Sequence, residues 1–155
     1  MLDNVLVYVN GRRHEVRGRD VFLSLSDFLR RSHGLTGTKI VCSEGDCGAC
    51  TVLIGRAAAD GSRLVYRPVD SCIQFMFQLD STHVISIEGL GGETSPSAVQ
   101  QAMIECHGSQ CGFCTPGFVV AMTGILEDRD ELNETNMRCG LTGNLCRCTG
   151  YTSIM

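Results

Sequence analysis

The chain has 155 residues and a mass of 16.8 kDa, with 43% apolar residues and no Trp, a size that suits one domain or two small ones whose cores would be thin. Its formal net charge is −4, with 12 Arg, a single Lys (Lys39) and 17 acidic residues, so it has no basic stripe for nucleic acid or an anionic membrane. The outliers are 10 Cys and 18 Gly. With no secretory signal near the start and nothing of transmembrane length, these thiols read as cytoplasmic and point to metal or redox chemistry rather than to disulfides.

In chain order, residues 2–9 alternate, with Val5, Val7 and Val9 on one face, and Asn10-Gly11 follows. Asn-Gly between two extended runs predicts a hairpin, because both residues tolerate positive φ. Residues 12–17 are the returning strand. Residues 24–34 predict a short helix that Ser24 caps, Leu25, Phe28 and Leu29 face inward, and Gly34 stops. Residues 51–54, 63–69 and 83–87 predict strands, and 73–79 a helix opened by Cys72. These elements suggest a small mixed sheet crossed by one helix.

Between them lies a loop with Cys42, Cys47 and Cys50, followed at a distance by Cys72. The spacing Cys-x4-Cys-x2-Cys-x21-Cys is that of a plant-type ferredoxin holding a [2Fe–2S] cluster. Three thiolates from one loop must wrap a compact charged core. Gly45, Gly48 and Ala49 are small enough to turn backbone N–H groups towards its sulfurs. Lys39 is positioned to offset part of the cluster's charge. Structural zinc prefers paired Cys-x2–4-Cys spacings and fits this loop poorly. Glu44 and Asp46 are expected to face solvent rather than to form a catalytic pair.

Residues 88–94 carry three Gly and form the predicted boundary between domains 1–90 and 91–155. Beyond it helix signals take over. Ser95 and Pro96 predict a helix to about Cys106, closed by Gly108; Thr115 and Pro116 open a dense apolar one ending near Asp128. Asn133 caps a third to about Leu141, and residues 151–155 begin a fourth, which together suggest a small four-helix bundle. Cys111 and Cys114 precede a helix N-terminus, which favours an anionic group. Cys146 and Cys148 come from a Gly-rich loop. Taken alone, these four thiols suit a cluster or a zinc ion.

Three motifs together decide between them. Cys-Ser-Glu-Gly-Asp-Cys-Gly-Ala-Cys-Thr (42–51), Gln-Cys-Gly-Phe-Cys-Thr-Pro-Gly (110–117) and Gly-Asn-Leu-Cys-Arg-Cys-Thr-Gly-Tyr (143–151) resemble the iron–sulfur subunit of the molybdenum hydroxylases, the xanthine dehydrogenase/aldehyde oxidase family. Residues 99–104 and 107–109 resemble the xanthine dehydrogenase branch. The resemblance implies an α+β chain: a ferredoxin-like β-grasp domain, then a four-helix [2Fe–2S] domain. It implies that Cys42, Cys47, Cys50 and Cys72 bind an outer cluster, and Cys111, Cys114, Cys146 and Cys148 an inner one. It also implies that Gln110 and Cys148 touch a molybdopterin cofactor. That cofactor and FAD would lie on partner chains or domains, in a hetero-oligomer such as a dimer of heterotrimers. Electrons would run from molybdenum through inner and outer clusters to FAD, with no substrate site on this chain. The family pattern continues beyond Met155, so the chain is a candidate piece of a longer polypeptide. The rival readings are a zinc-binding interaction module and a free-standing ferredoxin.

Cys106 and Cys139 belong to neither quartet and are expected to fill core. His14, His33, His83 and His107 show no ligand spacing. Gly140 within a helix costs about 1 kcal/mol relative to Ala, and nothing in the sequence accounts for it.

Overall fold

Asn10 and Gly11 both take positive φ, 48° and 79°, and turn β1 (Val5–Val9) into β2 (Arg12–Val16). The computed structural model describes residues 4–92, 95–128 and 133–155. Val5, Val7 and Val9 are buried while Tyr8 is exposed, as the alternation predicts. Ser24 Oγ accepts from Asp27 N to start α1 (Leu25–Asp27), which runs on as a π-turn over Phe28–Ser32. β3 (Thr51–Ala57) pairs with β4 (Leu64–Asp70) and with β5 (Thr82–Ile85), both antiparallel, and β5 pairs with β1 in parallel. The sheet order is β2-β1-β5-β3-β4.

In the second half lie α2 (Ala98–Glu105), α3 (Thr115–Asp128) and α4 (Glu134–Gly140). The architecture among the described residues is therefore α+β, with a five-stranded sheet and four α-helices. None of these helices is long and apolar enough to cross a membrane.

One core packs α1 against the sheet through Val7, Leu25, Phe28, Leu29, Val52, Ile54 and Val84. A second joins α2, α3 and α4 through Val99, Met103, Phe118, Met122 and Leu141. Thr51 to Gly55 are all buried, because β3 is covered on both faces. The second cover is α3: a Cβ on Gly124 would lie 2.8 Å from Leu53 Cδ2 and 3.3 Å from Pro68 Cδ.

Several predicted elements shift. Residues 73–79 hold one 3-10 turn, Met76–Gln78, and no longer helix. Their backbone is engaged elsewhere: Leu25 N donates to Gln74 O, and Met76 N to Leu23 O. The cap of α2 is Ser97 and not Ser95. Ser97 Oγ accepts from Gln100 N while Ser97 N donates to Gln100 Oε1, a reciprocal box that Ser95, three residues before Ala98, cannot make. That helix closes with His107, not Gly108, in the left-handed position (φ 51°), as His107 N and Gly108 N donate to Ile104 O and Met103 O.

Asn133 caps α4 as predicted. In place of a fourth bundle helix, residues 150–154 form a turn in which Tyr151 O accepts from Ile154 N and Met155 N. Within the predicted boundary, Ile87–Gly89 is a 3-10 turn and Leu90 packs on the second core, while residues 93–94 lie outside the described residues. Cys106 and Cys139 are exposed rather than core filler. Gly140 acquires a reason: a Cβ there would lie 2.6 Å from Ile125 Cδ1, so the missing side chain lets α4 sit close on α3.

Candidate metal centres

The loop from Cys42 to Cys50 leaves regular structure because its backbone groups serve sulfur. Gly45 and Gly48 take φ of 77° and 66°, reached freely only without a Cβ. The N–H groups of Glu44 and Asp46 point at Cys42 Sγ, that of Ala49 at Cys47, and that of Gly45 at Cys72. The Glu44 and Asp46 N–H groups, in that order, bring the Cys42 thiol down to about 6. Glu44 and Asp46 themselves face solvent as expected. Lys39 Nζ donates to Thr36 O. Cys50 is buried at the start of β3, and burial pushes its thiol up to about 12.

The second loop, Gly108 to Cys114, leads into α3, whose first intrahelical bond runs from Phe118 N to Cys114 O. Thr115 is thus already helical, and Cys114 sits at the cap. Burial pushes its thiol up to about 12, whereas the Phe113 N–H and then Cys148 lower that of Cys111. Burial raises Cys146, yet bonds from Thr149, Cys114 and Cys148 bring its net shift down. Cys111 and Cys148 are exposed, Cys114 is half-buried and Cys146 buried.

Within the quartets, side-chain interactions join Cys42 with Cys47, Cys50 with Cys72, Cys111 with Cys148, and Cys114 with Cys146, and charge interactions also couple Cys72 with Cys42 and Cys111 with Cys146 across those pairs. The Cys111 and Cys148 sulfurs are 3.5 Å apart. Such pairing suits two irons that hold two thiolates each. The donor set therefore fits two dinuclear clusters. Since burial holds the Cys50 thiol and the half-buried Cys114 thiol at about 12, a cluster bound there would have to drive their protons off.

The two quartets are neighbours. Leu145 N donates to Cys47 O at 3.0 Å, and Cys47 shares a cavity of about 330 Å³ with Cys111, Cys114, Cys146 and Cys148. Apolar Phe113, Leu145 and Val41, all exposed, edge that cavity. Asn144, buried, donates from Nδ2 to Gly48 O at 3.0 Å and to Thr51 Oγ1 at 3.3 Å. Sequence reasoning missed Asn144; its place beside Cys146 in the third motif was the available signal. Gln110 is exposed next to Cys111.

Two family models divide the chain between them. Residues 7–72 match the 2Fe-2S iron-sulfur cluster binding domain and residues 86–155 the [2Fe-2S] binding domain. The chain belongs to the xanthine dehydrogenase/aldehyde oxidase family of molybdenum hydroxylases, as its iron–sulfur part. It is 40% identical to xanthine dehydrogenase from Blastobotrys adeninivorans over 96% of its length, and 39% identical to aldehyde oxidase 4 from Cavia porcellus over 99%. It spans only 11% and 12% of those two proteins. Among solved structures it superposes on a chain of quinoline 2-oxidoreductase from Pseudomonas putida 86 with a TM-score of 0.80 and 36% identity, covering 97% of this chain and 86% of that one.

Proposed function

We propose that the chain is the electron-transfer unit of a molybdenum-dependent hydroxylase, with a ferredoxin-like β-grasp domain over residues 1–90 and a helical domain over 91–155. Cys42, Cys47, Cys50 and Cys72 hold the outer cluster; Cys111, Cys114, Cys146 and Cys148 hold the inner one. When bound, the two [2Fe–2S] clusters supply one-electron relay stations between a molybdopterin centre and FAD. The chain's own part is to fix where these stations stand and who can reach them. Its N–H groups at residues 44–49 stabilise thiolate charge. Buried Cys50 and Cys146 keep water from the interior side of each site. Cys111 and Cys148 leave the inner site open, with Gln110 beside them, as the contact for the pterin.

The carrying observation is the convergence of the two quartets: Cys47 O accepts from Leu145 N, beside Cys146, and Cys47 lines one cavity with Cys111, Cys114, Cys146 and Cys148. The partners are a molybdenum-cofactor module and a FAD module, as subunits of a hetero-oligomer or as domains of one polypeptide, in the cytoplasm. Residues 99–104 and 107–109 favour the xanthine dehydrogenase branch. Iron analysis with EPR of the dithionite-reduced protein tests the reading. Two distinguishable [2Fe–2S] signals are expected; one signal, or bound zinc, overturns it.

A further inference from the structure

We infer that the hydroxyl of Thr149 is a positioning group that sets the reduction potential of the inner cluster by donating a hydrogen bond to Cys146 Sγ. Thr149 Oγ1 lies 3.1 Å from that sulfur. Among the described residues no other hydroxyl lies within hydrogen-bonding distance of a ligand sulfur. The direction of the bond follows from the state of the sulfur. Tyr151 N, which can only donate, reaches Thr149 Oγ1 at 3.1 Å; it occupies one of the two lone pairs and leaves the hydroxyl proton free for the sulfur. A thiolate bound to iron has no proton of its own and can only accept.

The loop is built to hold this arrangement. Gly150 and Tyr151 both take positive φ, 63° and 70°, which folds Tyr151 back over Thr149. Cys146 N donates to Tyr151 Oη at 3.1 Å, and the Tyr151 ring packs edge-on to buried Phe118 at 6.3 Å. Tyr151 thus clamps the loop at both ends. Left-handed backbone at a tyrosine is uncommon and needs such support.

Reduction adds one negative charge to the cluster and its thiolates. A donor aimed at a ligand sulfur binds the more negative state more tightly, so it raises the potential. The inference rests on Cys146 being an inner-cluster ligand, as proposed above.

The test uses the complete assembly, with redox titration followed by the EPR signals. Thr149→Val should shift the inner reduction equilibrium about tenfold towards the oxidised form, about 59 mV for one electron, and leave the outer signal in place. Thr149→Ser should restore the wild-type value. An unshifted inner potential in Thr149→Val, or an equal shift in Thr149→Ser, overturns the inference. If Thr149→Val fails to assemble the inner cluster, pulsed EPR in light and heavy water decides on the remaining proteins. Wild type and Thr149→Ser should show an exchangeable hydroxyl coupling that Thr149→Ala lacks; three identical spectra overturn the inference. Absence of the inner signal from wild type would instead defeat the functional reading itself.

Discussion

Gly117, in the first turn of α3, lies against the carbonyl of Gly48 in the outer-cluster loop, so closely that a methyl group on it would overlap that oxygen and come 3.1 Å from Ala49 Cα. Both neighbours are backbone and cannot rotate away. In Gly117→Ala, helix propensity favours Ala by about 1 kcal/mol. Overpacking opposes it at the upper end of the roughly 1–3 kcal/mol range, and overpacking wins. A lower melting temperature and a reduced iron content are the expected outcomes. An unchanged or raised melting temperature contradicts the contact.

Asn144 makes the neighbouring seam with Gly48 O and Thr51 Oγ1. Asn144→Ala strands both acceptors in a buried place, at a cost of about 1–3 kcal/mol. Asn144→Asp should fare no better, since a carboxylate cannot donate to the Gly48 carbonyl. Denaturant unfolding of the iron-loaded protein measures both changes.

Ligand assignment separates by spectroscopy. Cys148→Ser should alter the inner EPR signal and spare the outer one, and Cys72→Ser should do the reverse. Loss of both signals from either variant contradicts the division into two quartets.

Acidity should weaken the sheet through His83. Its Nε2 accepts from Gly11 N at 3.1 Å, which leaves the ring proton on Nδ1, 2.6 Å from Tyr66 Oη. Burial lowers its pKa from 6.5. The unfolded chain therefore takes up the proton first, so the contribution is full above about 6.5 and is lost as pH falls from there through the lower folded value. His14, lowered by burial and then by His33 and Arg12, adds to the same slope. His83→Gln keeps an acceptor without a titrating proton. Its melting temperature should fall less than that of wild type between about pH 7.5 and pH 5, and parallel curves would count against His83.

Local signals in the sequence carried far where a single segment decides its own shape. The Asn10-Gly11 turn, the Ser24 cap and the Asn133 cap each depend on neighbours within four residues, and each forms as predicted. The spacing of Cys42, Cys47 and Cys50 is local in the same sense, because one loop carries all three. What stayed hidden depends on a partner segment. Gln74 to Met76 have helical composition, yet Leu23 and Leu25 claim their backbone groups. Gly140 looked misplaced until Ile125 was opposite it. The join between the quartets was equally unreadable, since neither Leu145 nor the backbone of Cys47 has a sequence mark.

That join has a consequence for how this protein can change over time. The bond from Leu145 N to Cys47 O is made by main-chain atoms alone. Among replacements at position 145, proline alone deletes the donor; every other residue supplies the same N–H. The spacing of the two cysteine loops is thus insulated from drift in the side chains that surround it, while the apolar rim of Val41, Phe113 and Leu145 is free to diverge. Insertions and deletions between Cys114 and Cys146 are the changes that would reach it.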